Sequence, residues 1–197
     1  CILKSVSGGY DGKQQYRFKS LEDIDEKLDF SKEYVLEKFL NFKQEISIAV
    51  TRFKDGKISI YEPSENKHEQ GILRESKIPA NINKSVLKNS QDIAVKFAEK
   101  LNYVGTLNIE FMVDQKGDLY FLEWCNRCHN GMWHTVNSYK YCQFTNHIKS
   151  VCGLEFIENK KISNAIMTNI LGDEIKEYRN KKFKENEFFF DYLKTEI

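Results

Sequence analysis

Apolar and polar positions alternate with period two through the middle of the chain, and breaks in that alternation mark its elements. Glu45 to Phe53 reads as a strand, Asp55-Gly56 as a hairpin turn and Lys57 to Tyr61 as the returning strand. A second hairpin is predicted from Val104 to Val113 and from Leu119 to Cys125. In its first arm Leu107, Ile109, Phe111 and Val113 share an apolar face, leaving Thr106, Asn108, Glu110 and Met112 on the other. Between the hairpins the period changes. Ser90 starts a helix with Ile93, Val95, Phe97, Ala98 and Leu101 on its apolar face and Asp92, Lys96, Glu99 and Lys100 outside. A further helix around Phe144 to Val151 stops at Gly153, and Ser20 caps a short one ending near Leu28. Residues 165–171 and 187–193 read as strands, with a solvated Lys-rich stretch between them. Strand pairs with helices on one face predict an α+β fold with a largely antiparallel sheet.

Composition narrows the class. The 197 residues carry 30 Lys+Arg against 29 Asp+Glu, a net charge of +1, with 41% hydrophobic residues. Such a chain forms one large domain or one and a half. Near-neutral charge argues against a nucleic-acid partner, and no apolar run approaches the ~18 residues of a membrane span. With no secretory leader visible, the expected location is cytoplasmic. The chain opens in a strand and without Met, which reads as a piece of a longer protein. Five cysteines, an odd number without scaffold spacing, are expected as free thiols. Cys125-Asn126-Arg127-Cys128-His129 nevertheless spells C-x-x-C-H, so a haem- or metal-binding module is a competing reading.

The second hairpin carries the most pointed chemistry. If Lys116-Gly117 is a two-residue turn, Glu110 directly faces Glu123; a longer or bulged turn would offset them by one. Two facing carboxylates need a shared proton or a cation, and an oxygen-rich site suits Mg²⁺. A Glu pointing to solvent, or paired with Lys or Arg, is the bland alternative. Near the start, Ser7-Gly8-Gly9-Tyr10-Asp11-Gly12-Lys13 joins an opening strand to another at Tyr16-Arg17-Phe18. Its glycines let backbone N–H groups approach an anion, but it lacks the spacing of a Walker loop, and on its own a glycine-rich β-hairpin turn is the better reading.

In combination these strings resemble the ATP-grasp ligases, and within them the 5-(carboxyamino)imidazole ribonucleotide synthases of purine biosynthesis. The resemblance rests on Gly8 to Lys13, on Glu65 to Arg74, on Tyr103-Val104-Gly105, on Arg127 with His129-Asn130, and on Gln143-Phe144 with His147. It covers roughly residues 1–172. It implies an ATP-grasp domain over 1–155 that lacks its N-terminal part, then a partial C-terminal β subdomain over 156–197. The implied reaction joins bicarbonate to 5-aminoimidazole ribonucleotide at the expense of ATP, by the carboxyphosphate route that the resemblance implies, and the implied assembly is a homodimer. By position, Lys4 would contact ATP phosphates, with Gly9, Tyr10, Asp11, Gly12, Lys13, Gln14 and Gln15 forming a flap over them. Glu37, Lys38, Phe39 and Leu40 would line the adenine pocket, Glu45 would hold the ribose, and His68 would lie at the nucleotide. Glu110 and Glu123 would hold Mg²⁺, with Leu122 beside them. Arg127, His129 and Asn130 would face bicarbonate and the imidazole nucleotide.

The chain also departs from the family pattern. Leu122 stands where the family has Asn before the second metal-binding Glu; Gly131 to Thr135 loses a Ser and exchanges His with Trp; Gln14 replaces a flap glycine. Another, or a catalytically degenerate, ATP-grasp ligase is therefore the second reading.

Overall fold

In the computed structural model, which describes residues 1–7, 14–20, 24, 28–29 and 31–189, the alternating segments pair into two antiparallel sheets. The smaller contains β1 (Ile2–Ser5), β2 (Gln15–Arg17) and β3 (Tyr34–Glu37) in the order β2-β1-β3. The larger is seven-stranded: β4 (Phe42–Arg52), β5 (Ile58–Ile60), β6 (Ser64–Glu69), β7 (Ile72–Ile78), β8 (Gly105–Asp114), β9 (Leu119–Cys125) and β10 (Ala165–Thr168). Its order is β10-β7-β6-β4-β8-β9, with β5 pairing only the end of β4. The α+β, largely antiparallel expectation is met.

Two faces of the large sheet have different jobs. On one, Ile46, Ile48 and Val50 of β4 and Leu107, Ile109, Phe111 and Val113 of β8 form a buried core under α1 (Lys84–Leu101). Full burial of such side chains is worth about 1.5–3 kcal/mol each. The helix starts earlier than its expected first residue, Ser90. Asn83 is the N-cap, its side-chain oxygen accepting the Val86 N–H at 2.8 Å. Ser90 instead lies mid-helix, with its hydroxyl donating to Leu87 O. The buried stripe runs Val86, Ser90, Ala94, Ala98 at four-residue spacing. Small side chains there let the helix lie close on the sheet, so Ile93 and Leu101, expected inside, are 39% and 45% exposed.

On the other face lie the 3-10 turn Asn130–Met132, α2 (Thr135–Ser138) and α3 (Gln143–Val151), over a second core of Ala49, Tyr61, Ile78, Met132 and Tyr139. α3 ends as expected, with Gly153 at φ +69°. β10 pairs with β7, so residues early in the 156–197 segment border the large sheet. The Lys-rich stretch contains a short exposed helix, α4 (Glu174–Arg179), and residues 187–189 form no strand, contrary to expectation. Phe188 there is 62% exposed, without the sheet partner that its apolar character needs to become a strand. The remainder of the 187–193 strand, most of the helix after Ser20, and Gly9, Tyr10, Asp11, Gly12 and Lys13 lie outside the described residues.

Candidate active site

The hairpin register places two carboxylates together by a route that differs from the expected one. Val113 pairs with Leu119, and Asp114 N–H donates to Asp118 O at 3.1 Å, so the turn holds three residues, Gln115 to Gly117, rather than two. The Asp114 carboxylate accepts the Lys116 and Asp118 N–H groups at 2.8 and 2.9 Å, and Gly117 takes φ +89°. That turn alone offsets the arms by one residue. A register shift between Glu110 and Phe111 reverses it: Phe111 faces Phe121, but Glu110 faces Glu123. Leu122 is the extra residue of a β-bulge. Phe121 and Trp124, three apart, both pack on Phe97 of α1, at 6.3 and 5.2 Å between ring centroids. The two residues between them, Leu122 and Glu123, therefore share the opposite face.

Across the sheet this makes one polar rung, Ser64–Ser47–Glu110–Glu123, on β6, β4, β8 and β9. Asn66 Nδ2 donates to Ser47 Oγ at 2.5 Å, and Ser47 Oγ donates to Glu110 Oε1 at 2.8 Å. The His129 ring stands between the acids, Nδ1 being 3.2 Å from Glu110 Oε1 and Nε2 3.8 Å from Glu123 Oε1. Nδ1 is buried, and its near neighbour is the Glu110 carboxylate. One donor atom from each of Glu110, Glu123 and His129 lies within 4.8 Å of the others, a set able to hold a metal ion.

The loop presenting His129 is tied down at its backbone. Gln143, fully buried at the start of α3, accepts the His129 N–H at 3.0 Å and donates to His129 O at 2.8 Å. Asn108 Nδ2 donates to Arg127 O at 2.8 Å. Gly131 O accepts the Ser64 and Ser76 hydroxyls at 2.8 and 2.5 Å. A Cβ at position 131 would overlap Ser47 Oγ, so only glycine permits this close approach.

The acids differ in electrostatics. Burial works against the Glu110 charge, but His129, Ser47 and His68 outweigh it and hold the carboxyl below the usual range. Glu123 is pushed up by burial and by the Glu110 charge, with His129, Lys4 and Arg127 offsetting part of this. A second pair lies alongside, His68 Nδ1 being 2.6 Å from Glu45 Oε2. Burial opposes protonation of His68, yet Glu45, Glu110 and Glu123 raise its pKa overall.

Among the other predicted residues, Lys4 Nζ pairs with Glu37 Oε2 at 2.7 Å, across β1 and β3. Gln14 takes φ +58°, a left-handed conformation that glycine adopts without strain, and Gln15 pairs with Lys4 in the small sheet. Lys38, Phe39 and Leu40 connect β3 to β4, with the Arg17 guanidinium 5.9 Å above the Phe39 ring. Arg127 is exposed, and Asn130 opens the 3-10 turn. The structure thus gathers Glu110, Glu123 and His129 directly and sets Glu45 with His68, Lys4 with Glu37. Ser47 and Asn66 were missed as positioning residues. Their signal was a small polar side chain at strand positions sharing a face with Glu45 and Glu110. Gln143 entered only as part of a resembling string.

The C-x-x-C-H alternative fits less well. Cys125 and Cys128 are half-buried free thiols. Burial pushes Cys128 up to about 11, with Cys142 and Cys125 adding to it, so its thiolate is scarce. The His129 ring faces the carboxylates instead. A cavity of about 510 Å³ on the small sheet, bordered by Leu3, Phe18, Leu28 and Leu36, is apolar and holds none of the acids.

Comparison with known proteins gives the family. The ATP-grasp domain profile matches residues 1–144. The chain belongs to the ATP-grasp family. It is 36% identical over 177 residues to the N5-carboxyaminoimidazole ribonucleotide synthase of Bacillus subtilis, covering 89% of this chain and 47% of that protein. A crystal structure of an N5-carboxyaminoimidazole ribonucleotide synthetase in its ADP complex superposes with a TM-score of 0.84 at 36% identity, covering 89% of this chain and 47% of that one. The Staphylococcus aureus N5-carboxyaminoimidazole synthetase complexed with ADP gives 0.82 at 33% identity, covering 91% and 48%. This ATP-grasp chain therefore spans about half the length of the curated relatives it matches. Among the described residues no helix is long and apolar enough to cross a membrane.

Proposed function

We propose that this chain is the ATP-grasp portion of an enzyme that carboxylates 5-aminoimidazole ribonucleotide with bicarbonate and ATP, releasing ADP and phosphate. The observation that carries the reading is the rung on which Glu110 and Glu123 face each other beside His129 in a family whose solved relatives bind ADP. Mg²⁺ fits this donor set. Two carboxylates oppose each other on one rung, and burial together with the Glu110 charge raises the Glu123 pKa. Bound there by Glu110 and Glu123, it would neutralise phosphate charge, which is the main demand of phosphoryl transfer.

The chain's own residues supply the rest. Ser47 and Asn66 fix the Glu110 carboxylate, so little reorganisation remains when the nucleotide arrives. Lys4 is the cation for the phosphates, held by Glu37 until an anion competes for it. Glu45 accepts from the ribose, with His68 orienting it. Residues Gly9 to Gln15 cover the phosphates, and Glu37 to Leu40 line the base. Arg127 and Asn130 face bicarbonate and the imidazole nucleotide, with His129 between that pocket and the acids. Residues 1–155 form the ATP-grasp unit and 156–197 open a C-terminal subdomain; the assembly is a homodimer in the cytoplasm. The test is phosphate release by the full-length protein. Release that requires both bicarbonate and 5-aminoimidazole ribonucleotide supports the reading, and release indifferent to either refutes it.

A further inference from the structure

The acid pair is not an all-oxygen site. Glu110 is nearly buried, Glu123 faces it, and the position next to Glu123 on the same face is Leu122, which has no donor atom. The third atom within reach is a nitrogen. His129 Nδ1 is buried and lies 3.2 Å from Glu110 Oε1. Neighbouring ligands of an octahedral ion with bonds of about 2.1 Å lie about 3 Å apart, so this spacing suits two ligands of one cation. Nε2 points to the Glu123 side, at 3.8 Å. The ring cannot easily withdraw, because Gln143 holds the His129 backbone by both its N–H and its C=O.

We infer that His129 Nδ1 is a ligand of the cation bound by Glu110 and Glu123, and that this two-oxygen, one-nitrogen set makes the site favour Co²⁺ over Mg²⁺. The inference rests on the acid pair being a cation site, as proposed above. Its physical basis is ligand type. Mg²⁺ demands oxygen and sheds its water reluctantly, whereas imidazole suits the later first-row divalent ions, among them Co²⁺. Leu122 offers no oxygen to compete with the imidazole. The gain is selectivity for a borderline ion at the loss of some Mg²⁺ affinity.

The test uses the full chain loaded with Mn²⁺ and a non-hydrolysable ATP analogue, read by pulsed electron paramagnetic resonance. Nitrogen modulation from one imidazole is expected, changing character when histidine is ¹⁵N-labelled and vanishing in His129→Gln. Because labelling leaves the protein unaltered, the result does not depend on the variant folding. By calorimetry Co²⁺ is expected to bind at least about tenfold more tightly than Mg²⁺, and His129→Gln to lower that ratio by about tenfold. Nucleotide-dependent Mn²⁺ binding without a histidine nitrogen signal overturns this inference and leaves the ligase reading standing. Absence of Mn²⁺ binding with or without nucleotide overturns both.

Discussion

Substitution Ser47→Ala deletes one oxygen that links two buried polar groups. The hydroxyl is fully inaccessible, accepts from Asn66 Nδ2 and donates to Glu110 Oε1. Its loss leaves the Asn66 amide short of an acceptor, at about 1 kcal/mol, and a nearly buried carboxylate short of a donor, at about 1.5–3 kcal/mol. Together the expected destabilisation is about 2.5–4 kcal/mol. In a Glu110→Ala background the carboxylate share disappears and only about 1 kcal/mol remains. The two substitutions should therefore couple by about 2 kcal/mol in a double-mutant cycle measured by urea unfolding. Costs that add to within about 0.5 kcal/mol would mean that Ser47 does not position Glu110, and the relay from Asn66 would have to be abandoned.

Two further outcomes follow from the same geometry. Leu122→Asn returns an oxygen to the face shared with Glu123 and should tighten Mg²⁺ binding several-fold by calorimetry; an unchanged affinity would show that position 122 does not reach the cation. His134 is buried with its Nδ1 beside Ser138 Oγ, and burial lowers its pKa to about 4. A depressed folded-state pKa means that this ring's contribution is complete above its unfolded value near 6.5 and is lost as pH falls towards 4. The loss amounts to about 3.5 kcal/mol at most, at about 1.4 kcal/mol per unit. A histidine proton NMR titration in which the His134 ring protonates near its ordinary value would contradict it.

Period-two alternation was enough to find both hairpins, because each strand has one face on the α1 core and its register cannot slip without exposing it. The facing of Glu110 and Glu123 was legible only in outcome. A two-residue turn was expected, whereas a three-residue turn and the bulge at Leu122 cancel each other's offset. Neither has a strong local signature, since turn length and bulge position depend on how Phe121 and Trp124 seat against Phe97. The start of α1 was misread because Ser90 is a good cap by type, while the side chain that caps is Asn83, seven residues earlier. Ser47 and Asn66 were invisible as site residues for a different reason. They act through Glu110, and a hydrogen bond between residues 63 positions apart leaves no periodic trace.

The central claim is that the opposed acids bind a cation which in turn holds the nucleotide. Calorimetric titration of the full-length protein with a non-hydrolysable ATP analogue tests it directly, run with Mg²⁺, without it, and in Glu110→Gln. Affinity that rises at least about tenfold with Mg²⁺ in the parent and not in the variant is the predicted result. Equal affinity with and without the ion, in a protein that still binds the nucleotide, would contradict it.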